Sequence, residues 1–241
     1  MIYPRWPAPA AVHAVSTTRA GGVSQPPYDG LNLASHVGDR KDAVQANRAQ
    51  LVKQLNLAAE PAWLEQVHGD TVVDAAITVG MPSADASYAR QAGVACAVMT
   101  ADCLPVLFCD PRGEVVAAAH AGWRGLAAGV LEAVVTAMAA PPESLLVWLG
   151  PAIGADVFEV GEEVRSAFVD RQAEAAAAFH RSDNDRWLAD IYWLARLRLV
   201  SVGVERIYGG GFCTYSDNER FFSFRRQATT GRMASLIWIG H

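Results

Sequence analysis

Three short apolar runs occupy the middle of the chain, at residues 93–99 (GVACAVM), 104–109 (LPVLFC) and 115–120 (VVAAAH). A half-exposed strand alternates apolar and polar residues, whereas a strand covered on both faces is apolar throughout. The three runs are therefore read as strands buried on both sides. Their connections are polar or turn-forming, TAD at 100–102 and DPRG at 110–113.

Shorter signals surround this centre. Residues 12–18 read as a strand from their β-branched content, and 19–28 break it into a glycine- and proline-rich loop carrying Arg19. Asp39 is placed to cap a helix running to about Leu55, with Val44, Leu51, Val52 and Leu55 at helical spacing. Residues 63–67 and 71–73 read as two strands joined by a hairpin-like turn at 68–70. An alanine-rich helix is expected from the HAGWRG motif to about Ala139, then a strand at 145–149, a loop at 150–154 and a helix from about Gly161. A second helix is expected over 187–200, followed by strands at 204–208, 221–225 and 234–239. Strands and helices mix without a strict β-α-β rhythm, which favours a single α+β or layered α/β domain over a barrel or a Rossmann sheet. Neither a G-x-G-x-x-G nor a P-loop follows a strand. The 173–178 stretch is alanine-rich, and no internal repeat is seen.

At 241 residues the chain is long enough for a substantial core. Half of it is hydrophobic (51%) and only 19% is charged, the opposite of a disordered composition. A net charge of -5 with scattered Lys and Arg supplies no basic field, so nucleic acid is not expected as a partner. No apolar run approaches the roughly 18 residues needed to span a bilayer, and the first residues lack the pattern of a signal peptide. A cytoplasmic protein with a small-molecule substrate is expected, as a monomer or small homo-oligomer. Its four cysteines do not make a disulfide framework.

Of six histidines, His68 and His120 stand in polar-flanked turns at the ends of apolar strands, and Cys103 occupies a similar place. Strand ends converge on one rim of a sheet, where ligands tend to bind. A thiolate with two imidazoles suits zinc, and three protein donors leave one position open, as in catalytic sites. The spacings are not those of a zinc finger. Cys96, Cys109 and His13 read as structural core residues, Cys213 as core with a pocket role as the alternative, and His180 and His241 as solvated.

The chain also resembles a known family nearly end to end. The resemblance is carried by residues 18–24 (TRAGGVS), 31–33 (LNL), 66–69 (QVHG), 100–106 (TADCLPV), 120–125 (HAGWRG), 150–154 (GPAIG), 213–215 (CTY), 221–225 (FFSFR) and 230–232 (TGR). These motifs are similar to those of the YfiH-type laccase-domain proteins, described as purine nucleoside phosphorylases or polyphenol oxidases. The resemblance implies a layered α-β-β-α sandwich with mixed sheets. It implies one zinc ion held by His68, Cys103 and His120. It further implies phosphorolysis of adenosine, inosine and 5'-methylthioadenosine, with adenosine deamination at the same site.

Other residues in these motifs are candidates for the chemistry. Asp102 is a candidate proton shuttle, with turn-capping as the alternative. Arg19, Arg124 and Arg225 lie in glycine-rich or strand-end motifs suited to an attacking phosphate, or else are surface or ion-paired residues. Asn32 and Gln66 are neutral hydrogen-bonders that orient a sugar or base, or brace the loops. Six histidines without a His-x-His pair are too few for a multicopper laccase cluster, though a single copper suits an N/S site. Three alternatives remain: a Cys103–His120 or zinc-dependent amide hydrolase acting on cell-wall precursors, polyphenol oxidation at a single copper, and a non-catalytic zinc module. The last needs a fourth donor from His36, Cys109 or Cys213.

Overall fold

The computed structural model describes residues 1–240; His241 lies outside them. Strands run at β1 (Val12–Ser16), β2 (Val72–Asp74), β3 (Ala86–Ala89), β4 (Ala95–Thr100), β5 (Leu104–Cys109), β6 (Val116–Ala121), β7 (Leu146–Leu149), β8 (Glu159–Val160), β9 (Phe179–Arg181), β10 (Trp187–Ala189), β11 (Arg206–Gly209) and β12 (Met233–Ile239). Helices are α1 (Lys41–Leu55), α2 (Trp123–Ala128), α3 (Val130–Met138), α4 (Glu162–Val169) and α5 (Ile191–Ser201).

The three apolar runs become β4, β5 and β6, and every residue of each strand is buried. β5 and β6 lie at the centre of a six-stranded sheet of order β11-β7-β5-β6-β3-β2, antiparallel except for its two edge pairs. β4 belongs to a three-stranded antiparallel sheet of order β1-β12-β4.

The period-two alternation of strand side chains explains why apolar residues are needed on both faces. Val106 and Phe108 of β5 pack with Ala117 and Ala119 of β6 against Leu126, Leu131 and Leu194 of the helical layer. Leu107 and Cys109, on the opposite face, meet Cys96 and Val98 of β4 and Ile237 of β12. The far side of the second sheet, Ala97, Met99 and Leu236, packs on Leu51 of α1. The result is four layers, helix, sheet, sheet, helix, the mixed α/β sandwich the sequence led us to expect. A small β8-β10-β9 sheet sits beside the α4 and α5 side. Among the described residues no helix is long and apolar enough to cross a membrane.

Several local expectations are corrected. Residues 63–67 are not a ladder strand: they touch their neighbours only through isolated bridges, Ala62 with Cys96 and Glu65 with Ser83. The 68–70 turn is therefore not a hairpin, and β2 pairs in parallel with β3, a strand of weak sequence signal. Arg40, not Asp39, is the N-cap residue of α1, because the Asp39 carboxylate is occupied by Ser24 Oγ at 2.6 Å and Asn32 Nδ2 at 2.9 Å. The alanine-rich helix divides into α2 and α3 at Gly129, whose φ of 112° no L-residue adopts readily. The helix expected over 187–200 begins only at Ile191. Asp190 caps it by accepting from the Trp193 N–H, and Trp187–Ala189 pair as a strand. Residues 221–225 form a turn rather than a strand, with Phe221 and Phe222 fully buried. The alanine-rich 173–178 stretch is a 3₁₀ helix.

Candidate metal centre

Antiparallel register brings two of the three expected ligands together. Pro105 of β5 lies opposite His120 of β6, so Cys103, just before β5, reaches the same rim of the sheet as His120 near the end of its strand. His68 arrives on the loop before β2. Its φ of 61° is unusual for a non-glycine residue, and that conformation needs support from outside the loop.

The fully buried Asp85 carboxylate supplies that support. It accepts the backbone N–H groups of Val67 at 3.1 Å, His68 at 2.9 Å and Gly69 at 2.7 Å. Its Oδ1 also lies 2.7 Å from His120 Nδ1. One carboxylate thus holds the His68 loop and orients the His120 ring, leaving His120 Nε2 free to face the other donors. Burial works to raise the Asp85 pKa, but hydrogen bonds from His120, Gly69 and His68 outweigh it and the carboxyl stays below the ordinary range.

The ligand atoms of His68, Cys103 and His120 lie within 4.8 Å of one another, with Cys103 Sγ 4.0 Å from His68 Nε2. The two imidazoles meet edge to face, their centroids 4.8 Å apart. Burial disfavours a charged Cys103, yet the adjacent His120 and His68 imidazoles overcome it and lower the thiol pKa. His120 is raised in turn, burial being outweighed by Cys103 and Asp85. The metal-free chain therefore already favours the thiolate that a metal ion binds. A thiolate and two imidazoles, one with its second nitrogen bonded to a carboxylate, can hold a metal ion. The group has three members, and neither His36, Cys109 nor Cys213 belongs to it.

A cavity of about 330 Å³ opens over these donors, in the range of small-molecule sites. Trp123, Phe158 and Phe224 line it, together with Arg124, Arg225 and Arg232. Arg124 lies 4.4 Å over the Trp123 ring, and Arg225 Nη1 donates to the Glu159 carbonyl at 2.7 Å. Gln66 lines the cavity too, but both ends of its amide are bonded to the Met99 backbone, at 2.8 and 2.7 Å.

The remaining candidates fall into bracing roles. Asp102, held at φ 95°, accepts from Thr214 Oγ1 at 2.6 Å, Ser223 Oγ at 3.0 Å and the Arg225 N–H at 2.7 Å. Its carboxylate ties the Cys103 loop to the 213–216 and 222–226 turns, and the residue also lines the cavity. Arg19 is paired with Asp29 at 2.9 Å, lies over Phe222 and does not line the cavity. Asn32 is fully buried, accepts the Arg232 N–H at 3.0 Å and does not line the cavity.

Asp85 and Arg232 stand beside the donors or their cavity without having been marked by the sequence, and His36, considered there only as a fourth metal donor, lines the cavity instead. A lone acid heading an apolar strand was the available signal for Asp85. Arg232 sits inside the TGR motif but carried no spacing that marked it.

Comparison with known proteins identifies relatives along the whole chain. The family model described as multi-copper polyphenol oxidoreductase laccase matches residues 13–240. The chain belongs to this YfiH-type laccase-domain family. It is 58% identical over 243 residues to the Escherichia coli purine nucleoside phosphorylase YfiH, covering 99% of this chain and 98% of that protein. A Pseudomonas aeruginosa purine nucleoside phosphorylase is 59% identical over 239 residues, with coverage of 99% and 98%. Among solved structures, a Neisseria meningitidis protein superposes with a TM-score of 0.96 at 53% identity, covering 100% of this chain and 99% of that one. YlmD from Geobacillus stearothermophilus superposes at 0.89 with 32% identity, covering 96% and 93%. The family description speaks of several coppers, whereas among the described residues one group of three donors converges.

Proposed function

We propose that this chain is a zinc-dependent purine nucleoside enzyme, cleaving adenosine, inosine and 5'-methylthioadenosine with phosphate and also deaminating adenosine. The observation that carries the reading is the convergence of His68, Cys103 and His120 beneath a cavity walled by aromatic and arginine side chains. The names of the E. coli and P. aeruginosa relatives support the substrate class.

The soft thiolate with two imidazoles, and the open fourth position, favour zinc. When bound there, zinc supplies Lewis acidity at the cavity floor. The protein's own side chains do the rest. Trp123, Phe158 and Phe224 offer apolar faces against which a purine stacks. Arg124 and Arg225 add positive charge to the cavity lining, which favours entry of an anion. In phosphorolysis a phosphate oxygen bonds to C1' of the ribose and the C1'–N9 bond breaks. Its electron pair leaves on the purine, which takes up a proton, giving ribose 1-phosphate and free base.

A second reading has one observation in its favour: the lowered Cys103 pKa beside His120 suits a nucleophilic thiol acting on amides such as those of cell-wall precursors. A dyad needs one imidazole, however, and His68 Nε2 faces the same sulfur. The metal reading uses all three groups.

The test incubates protein of known zinc content with inosine plus phosphate, with adenosine, and with UDP-muramoyl-serine, beside a Cys103→Ala control. Ribose 1-phosphate and inosine as products, both lost in the control, are expected. Release of serine without ribose 1-phosphate overturns the phosphorylase reading.

A further inference from the structure

Three arginines face the cavity, and they differ in what already occupies them. Arg225 spends Nη1 on the Glu159 carbonyl and lies 5.5 Å over Phe158. Arg124 is exposed and lies over Trp123. Arg232 is partly buried, and among the described residues its guanidinium donates only from Nη1, to the carbonyls of Thr230 at 2.9 Å and Gly231 at 3.1 Å, both in its own segment. Among the described residues no carboxylate lies within ion-pair distance of its guanidinium, whereas Arg19, Arg48 and Arg198 all have one. Burial works against this charge more strongly than the nearby Cys103 and Asp102 support it, so an anionic ligand in the cavity would stabilise the guanidinium.

The backbone beneath Arg232 is fixed to an extent a solvent-facing arginine does not need. Its N–H donates to Asn32 Oδ1, and its carbonyl accepts from the Leu33 N–H at 3.3 Å. Asn32 is itself tied to Asp39. Gly231, just before it, packs so closely that an added Cβ would lie 2.7 Å from the Phe222 ring. The guanidinium thus projects from a rigid base into the cavity that holds the three metal donors. His36 lines the same cavity and is close enough to Arg232 to feel its charge.

We infer that Arg232 is the anion anchor of this cavity, its free guanidinium edge taking two oxygens of a phosphate group with His36 beside it. Planar fork geometry suits bidentate binding of this kind. The inference rests on the proposed phosphorolysis for the identity of the anion as inorganic phosphate. A phosphate carried on an organic substrate presents the same oxygens.

The experiment uses zinc-loaded protein and measures the KM for phosphate and for inosine separately in wild type, Arg232→Met, Arg232→Lys and the remote surface variant Arg112→Met. Calorimetric titration with inorganic phosphate, and with UDP as an organic diphosphate, runs in parallel. The KM for phosphate is expected to rise about ten- to a hundredfold in Arg232→Met, the loss of a charge-assisted pair, while the KM for inosine changes much less. Arg232→Lys, which keeps the charge without the fork, falls between the two, and it carries the test by itself if the methionine variant does not fold. Arg112→Met is expected to match wild type. An unchanged phosphate KM in the arginine-232 variants overturns the assignment while leaving the phosphorylase reading intact. If wild type forms no ribose 1-phosphate, that reading fails separately and the titrations decide. Binding of phosphate or UDP that is lost in Arg232→Met supports the anchor and identifies its source, whereas absence of binding of both to wild type overturns it.

Discussion

Asp85 Oδ1 lies 2.7 Å from His120 Nδ1, and the same carboxylate receives three consecutive backbone N–H groups of the His68 loop. A single buried side chain therefore sets the position of one candidate ligand and the orientation of another.

Replacing it should show at the metal. Asp85→Asn keeps the size but exchanges one acceptor oxygen for a donor, which faces N–H groups it cannot satisfy. Metal affinity is expected to fall about ten- to a hundredfold, the usual cost of losing a carboxylate behind a metal-bound histidine. Competition with a chromophoric chelator measures it, and wild-type affinity in the variant would contradict the assigned role.

Close approach at Gly122 gives a second expectation. A Cβ there would lie 3.0 Å from both Cys103 Sγ and His68 Cδ2. Gly122→Ala must therefore spread the donors, so zinc binding should weaken while the melting temperature of the metal-free protein changes little. Equal weakening of both would point to a folding defect instead.

The cysteines should separate by labelling. Cys96 and Cys109 are buried between the sheets, and burial pushes their thiols up to about 12. Iodoacetamide at neutral pH should leave both untouched in the folded protein and should label Cys103 only after chelation. Mass spectrometry of the peptides reads the outcome, and rapid labelling of Cys103 in zinc-loaded protein would favour the nucleophile reading.

His36 offers a pH-dependent signature. Burial lowers its pKa below the usual 6.5, and the charges of Arg232 and Arg48 lower it further. The unfolded chain then takes up this proton first as pH falls, so His36 lowers stability on acidification through about pH 6.5. Histidine NMR titration should place it below the free value, and Arg232→Met should move it up. No movement would separate His36 from Arg232.

Core packing makes the most direct stability test. Leu107 is fully buried where the two sheets meet, so Leu107→Ala should cost about 2–5 kcal/mol in denaturant unfolding. A cost below about 1 kcal/mol would mean that the two sheets do not share this core.

The buried strands were legible in the near-continuous apolar runs at 93–99, 104–109 and 115–120, because burial of a strand is written in the residues of that strand. The ligand set was legible for a related reason: His68, Cys103 and His120 each carry donor chemistry in a distinctive local motif. Chain order could not reveal Asp85 or Arg232, whose roles depend on what long-range pairing sets beside them. The Asp85 carboxylate acquires its meaning only when β3 pairs with β6 and the His68 loop folds over it. The same limit explains the strand at Trp187–Ala189, whose apolar sequence fits a helix until Phe179–Arg181 pairs with it. Arg19 and Arg232 are equivalent as sequence, each an arginine in a glycine-containing motif. Tertiary structure pairs Arg19 with Asp29 and leaves Arg232 facing the cavity with no carboxylate at ion-pair distance among the described residues, because ion pairing is decided by distance in space and not along the chain.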